Sequence, residues 1–150
     1  MRWKLVLVGG LVFFAVSFLV SFGTGQLIHE GVLKSTYQEY PTFWRPELMA
    51  TPPDMGALMP MWIPRGILSA LIVAFIYAGC RSAWKGPGWR KGLQGGLYVG
   101  LFSLCYGLLG WAFALNLPDK IWVWWTVDCF LCYVPAGAVL GWVGDKIDPE

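Results

Sequence analysis

Charge is what this 150-residue chain has least of. Asp, Glu, Lys and Arg make up 13% of it against 57% hydrophobic residues, whereas a soluble domain devotes about a quarter to charge. So thin a supply does not suit a water-facing globular domain, and a net charge of +2 gives no basic face of the kind nucleic acid needs. Histidine occurs once, as His29. With no close His or Cys ligand spacing beside it, the chain falls short of a zinc signature, so no metal is expected. Also missing are a phosphate-cradling glycine loop, a nucleophile–base–acid pattern and a glycosidase-like acid pair. No cofactor is expected, and nothing asks for an enzyme. The four cysteines do not form a disulfide framework: Cys105, Cys129 and Cys132 lie within apolar runs and Cys80 ends one. They read as thiols in a packed interior.

What the chain does have is long apolar runs, with a mean hydropathy of +0.56. They imply an all-α membrane protein, a compact four-transmembrane-helix bundle forming one integral membrane domain over 1–150. The spans are expected at about 5–28, 62–80, 92–117 and 121–143. The first, Leu5–Ile28, carries no charge and follows a basic head. It exceeds the roughly 7–15 apolar residues of a signal peptide and is read as a retained helix. Between the first two spans, His29–Met61 holds five prolines, Pro41, Pro46, Pro52, Pro53 and Pro60, which exclude one long helix. Its many apolar residues imply an ordered, partly helical outer loop folded over the bundle or lying in the headgroup layer. Within it Thr51-Pro52-Pro53-Asp54 has the pattern of a helix start, with Thr51 as the capping hydroxyl.

Basic residues set the expected orientation. The head, the Arg81–Lys91 loop and the tail hold seven Lys/Arg (Arg2, Lys4, Arg81, Lys85, Arg90, Lys91, Lys146), against Lys34, Arg45 and Lys120 opposite, with Arg65 at the edge. Both termini are therefore placed in the cytoplasm, in a bacterial-type cytoplasmic (inner) membrane. Trp3, Trp84, Trp89 and Trp142 fall at one interface; Trp62, Trp111, Trp122, Trp124 and Trp125 fall at the other.

Small residues recur every fourth position in the second and third spans, at Gly66–Ala70–Ala74–Ala78 and Gly92–Gly96–Gly100, with Gly137 and Gly141 in the fourth. Such stripes permit close helix packing in lipid. His29 continues the row Ser17–Ser21–Gly25 and should point into the bundle. Asp128 lies inside the fourth apolar run, where a carboxylate costs about 2.5–3.5 kcal/mol at mid-helix and needs an answer from its neighbours. Arg65 is the expected partner, and a cluster of His29, Glu30, Arg65 and Asp128 is expected at one depth. It serves either as a structural clasp or as a binding or proton-handling site.

Directly after Asp128 comes Cys129-Phe-Leu-Cys132. A Cys-x-x-Cys in the last helix of a four-helix membrane protein resembles the vitamin K epoxide reductase family, which implies thiol–quinone redox chemistry at Cys129 and Cys132. That family's further cysteine pair in the first extracytoplasmic loop has no counterpart here, since His29–Met61 contains no cysteine. Buried cysteine also serves simply as a small hydrophobe. Three functional readings follow. The leading one is an accessory or structural subunit whose partners are membrane lipid and larger integral membrane proteins. The second is a stand-alone bundle that binds or translocates a small lipid-like or anionic ligand at the level of Arg65 and Asp128. The third is a membrane thiol oxidoreductase.

Overall fold

A computed structural model describes residues 2–149, which are helical with no strand among them. Four helices are long and apolar enough to cross a membrane: Trp3–Val32, Met55–Ala83, Gly88–Trp111 and Asp119–Ile147. Their α-helical parts are α1 (Trp3–Thr24), α4 (Met55–Cys80), α5 (Gly88–Ser103) and α6 (Asp119–Ile147). Two short helices, α2 (Lys34–Gln38) and α3 (Pro46–Met49), lie between α1 and α4. Two of the four long helices change winding. α1 continues as a π segment over Gly25–Val32, and α5 continues as another over Leu104–Trp111. Each closes on an i→i−5 bond, Leu33 N–H to Ile28 O at 2.8 Å and Ala112 N–H to Gly107 O at 3.2 Å.

The boundaries differ from the apolar runs in instructive ways. α4 begins seven residues before position 62 and contains Pro60 and Pro64. They fall in its second and third turns, and each removes one i→i−4 hydrogen bond there. Asp54, not Thr51, caps it, accepting from Ala57 N–H at 3.0 Å. The third helix stops at Trp111, six residues short of 117, because the chain unwinds ahead of Pro118.

The helices stand in the order α4–α1–α6–α5, with α4 and α5 scarcely meeting. The four form a helical bundle in which α1 and α6 make the central pair. Glycine placement is the physical reason. Gly88, Gly92, Gly96 and Gly100 are the buried residues of α5, and the first three face Asp145, Gly141, Gly137 and Tyr133 of α6 so closely that a Cβ would strike the opposing chain. α5 thus gives its narrow face to α6, while Gly95 lies against Tyr77 of α4 and Trp84 beyond it. The α1 side is built instead from Leu5, Phe13, Ala70, Ala74, Tyr77, Ala136 and Leu140, an apolar cluster shared by α1, α4 and α6. Cys105, expected in the interior, lies outward and exposed, as does Cys80. The glycine-bearing side of α5 turns to α6 and leaves Cys105 off it.

At the end carrying the termini, polar groups close the bundle. Arg81 follows α4 in a 3-10 turn and is 1% exposed. Its Nη2 donates to the Asp148 carbonyl oxygen. The Asp148 carboxylate stands 4.0 Å from Arg81 Nη2 and 3.2 Å from Arg2 Nε. Asp145 Oδ2 accepts from Gly88 N–H at 2.6 Å, answering an orphan donor at the start of α5. At the opposite end the segment between α1 and α4 folds down. Leu33, Tyr37, Tyr40 and Trp44 pack with Ile28, Leu117, Ile121 and Trp122.

Candidate binding site

Asp128 lies nine residues into α6, roughly 13 Å along it, on the half away from the termini. Its partner is not Arg65. His29 Nε2 is 3.4 Å from Asp128 Oδ2, whereas Arg65 is exposed on α4 and does not pair with the carboxylate. Glu30 also leaves the expected cluster, pairing at 3.3 Å with Lys34 on the same stretch of chain. Of the four groups, only His29 and Asp128 come together.

The first π segment explains how His29 arrives there. In an α-helix residues five apart point well away from one another, but in π winding they stack one turn apart. Thr24 and His29 therefore share a face toward α6, where Cys132 and Asp128, four apart, also share one. Thr24 Oγ1 lies 3.8 Å from Cys132 Sγ, and Cys132 Sγ lies 3.7 Å from Asp128 Oδ1. The two cysteines turn to different helices. Cys129 Sγ accepts from Ser103 Oγ of α5 at 3.2 Å, while Cys132 faces Thr24 of α1. Both are free thiols.

Above His29, the α2 residue Tyr37 closes the site. Its hydroxyl lies 2.8 Å from His29 Nδ1 and accepts from Trp125 Nε1–H at 2.8 Å. Its backbone oxygen accepts from Trp44 Nε1–H at 3.1 Å, so an indole holds it at each end. Burial, with a smaller push from the Asp128 charge, lifts the Tyr37 phenol to about 12, against a lowering by the Trp125 hydrogen bond. It remains an O–H donor at any physiological pH.

Between α1, α5 and α6 this leaves a cavity of about 260 Å³ lined by His29, Ser103, Gly107, Trp122, Trp125, Thr126, Asp128 and Cys129. Trp122 and Trp125 stand nearly perpendicular, with ring centroids 5.5 Å apart and 73° between planes. Gly107, in the second π segment, faces the Trp122 ring, whose Cε3 would be 3.9 Å from a Cβ placed there. Trp122 Nε1 is buried with no hydrogen-bond partner among the described residues. The sequence held one signal for these walls. Trp122, Trp125 and Cys129 fall at i, i+3 and i+7, one helical stripe running down to Asp128. Ser103 and Gly107 continue the small-residue row Gly92–Gly96–Gly100 with a shift, a signal of close packing alone, while Tyr37 and Thr24 had none, because their places depend on the fold of the loop and on π winding.

The chain matches no protein-family model, no curated protein and no solved structure.

Proposed function

We propose that this is a multi-pass integral membrane protein of the cytoplasmic membrane, with both termini in the cytoplasm, that binds a small lipid-like ligand in its outer half. The single observation carrying this reading is the state of Asp128. A carboxylate among membrane-length helices serves most cheaply as a clasp when its neighbours pack it shut, yet Asp128 and His29 border a 260 Å³ cavity instead. A cavity kept beside a costly group is the usual mark of a binding site. The excess of Lys and Arg at the end carrying the termini, with Trp at both ends, supports the orientation.

The accessory-subunit reading is favoured by a different observation. Arg65 is exposed on α4 and has no ion-pair or hydrogen-bond partner among the described residues, in a stretch of α4 that is exposed from Trp62 to Arg65. An acidic or carbonyl-bearing helix of a larger membrane protein would satisfy it there. Purification in mild detergent separates the two. A subunit travels stoichiometrically with a larger complex, and Arg65→Leu releases it. A binding protein purifies alone and gains melting temperature with ligand, a gain that Asp128→Asn abolishes.

A further inference from the structure

The hydrogen bonds around His29 form a chain from Trp125 to Asp128. Trp125 Nε1–H can only donate, so the Tyr37 oxygen accepts from it. Among the described residues the acceptor within reach of the Tyr37 hydrogen is His29 Nδ1, 2.8 Å away. With Nδ1 accepting, the imidazole presents Nε2–H to Asp128 Oδ2 as a hydrogen-bond donor. In that arrangement His29, the one side chain paired with Asp128 among the described residues, orients the carboxylate without cancelling its charge. The cavity then holds a carboxylate beside two indole rings set at 73°.

We infer that the cavity takes a small organic ammonium group, held by the Asp128 carboxylate against the faces of Trp122 and Trp125. The inference rests on the binding reading above and names its ligand class. Perpendicular aromatic walls with a carboxylate are what a quaternary or primary ammonium finds favourable, because the ring quadrupole and the charge act together. An anion would meet Asp128 with no cation to offset it, since Arg65 does not pair with the carboxylate. The cavity holds roughly eight water volumes, which suits a methylated ammonium head but no acyl chain. α1 and α5 flank α6 on opposite sides without packing on one another, so a lipid chain attached to such a head has a way out between them. The ammonium group can thus come from a zwitterionic lipid headgroup or from a free amine.

Tetramethylammonium titrated into the full chain in phosphatidylglycerol nanodiscs, which contain no ammonium lipid, tests this. Melting temperature and tryptophan fluorescence are read together. Both should shift saturably, with half-saturation raised about tenfold or more by Asp128→Asn and retained by Asp128→Glu. Gly107→Leu, which fills the cavity from α5 and leaves the carboxylate untouched, should remove the response, and it carries the test alone if Asp128→Asn does not fold. Repeating the titration in phosphatidylcholine nanodiscs identifies the source. A lipid ligand raises the tetramethylammonium half-saturation by competition, whereas a free-amine site leaves it unchanged; either supports the ammonium class. A response to acetate or glycerol, lost in Gly107→Leu and absent with tetramethylammonium, overturns the ammonium class and leaves the binding reading standing. No response to any of the three probes overturns both.

Discussion

Two acids sit near opposite ends of α6, and they are treated in opposite ways. Asp148, just past its last turn, meets the guanidinium of Arg81 and that of Arg2, with Asp145 capping α5 close by. Arg81 is almost wholly buried. Asp128 meets the imidazole of His29 and a cavity. Charge at the terminal end is cancelled and packed, as holding four helices together requires. Charge at the other end is oriented and left available, which costs stability and makes sense only if something comes to occupy it. On the proposed function the same residue type is a clasp in one place and a receptor in the other, and the neighbours decide which.

Removing the clasp should have the largest effect. Arg81→Met strips the donor from the Asp148 carbonyl and a cation from its carboxylate, and should cost about 3 kcal/mol or more of stability. A melt in detergent, followed by tryptophan fluorescence, would show a drop of many degrees. Next comes overpacking at the glycine contact. Gly92→Val pushes a side chain into the Gly137 carbonyl and Gly141 backbone, which cannot yield as a side chain would. It should cost about 1–3 kcal/mol and detach α5, read as cysteine crosslinking lost between α5 and α6.

The receptor end should respond differently. Asp128→Asn keeps an acceptor for His29 Nε2–H while removing the exposed charge, so the melting temperature without ligand should hold or rise, within about 1 kcal/mol. A loss as large as that of Arg81→Met would show that Asp128 is a clasp after all. Tyr37 adds a pH signature. Its folded-state value, raised to about 12 by burial, lies above the ordinary value of 10, so the unfolded chain ionises first. The stabilisation is complete below pH 10 and is lost as pH rises toward 12, amounting to at most about 2 kcal/mol once solvent screening at the partly exposed ring is allowed for. Tyr37→Phe should flatten that alkaline decline while lowering stability at neutral pH by about 1 kcal/mol for the broken hydrogen bonds. The smallest effect expected is the coupling between Arg65→Leu and Asp128→Asn. The two groups do not meet, so their effects should add within about 0.5 kcal/mol.

What could be read from the sequence follows from how each feature is encoded. Apolar run length and glycine spacing are local properties, and they place the four long helices and the faces on which α5 and α6 touch. The partner of Asp128 is a different kind of fact. Arg65 is the stronger cation and lies at a plausible depth, but which helix stands beside α6 depends on how the glycine stripes are shared out. α5 takes that face on one side and α1 takes the other, so α1's histidine reaches the acid and α4's arginine does not. Tyr37 depends on the path of a loop broken by prolines, a path no periodicity describes. The π segments left no readable mark either, since Gly-Gln-Leu-Ile-His-Glu-Gly-Val and Leu-Cys-Tyr-Gly-Leu-Leu-Gly-Trp suit ordinary α winding equally well.

Those two stretches of wider winding tie the site to a count of residues. A π turn holds one residue more than the helix around it requires, so Thr24 and His29, five apart, share a face only while that winding lasts. Deleting a single residue between Gly25 and Ile28 would let the stretch rewind as α-helix with His29 four residues after Thr24, about 40° from it, and the imidazole would keep its face toward Asp128. Rewinding as α-helix without the deletion would carry His29 about 100° further round the axis, away from Asp128, though every lining residue remained in the chain. The position of the histidine is thus set by a count of residues and the winding that matches it rather than by the side chains that surround it.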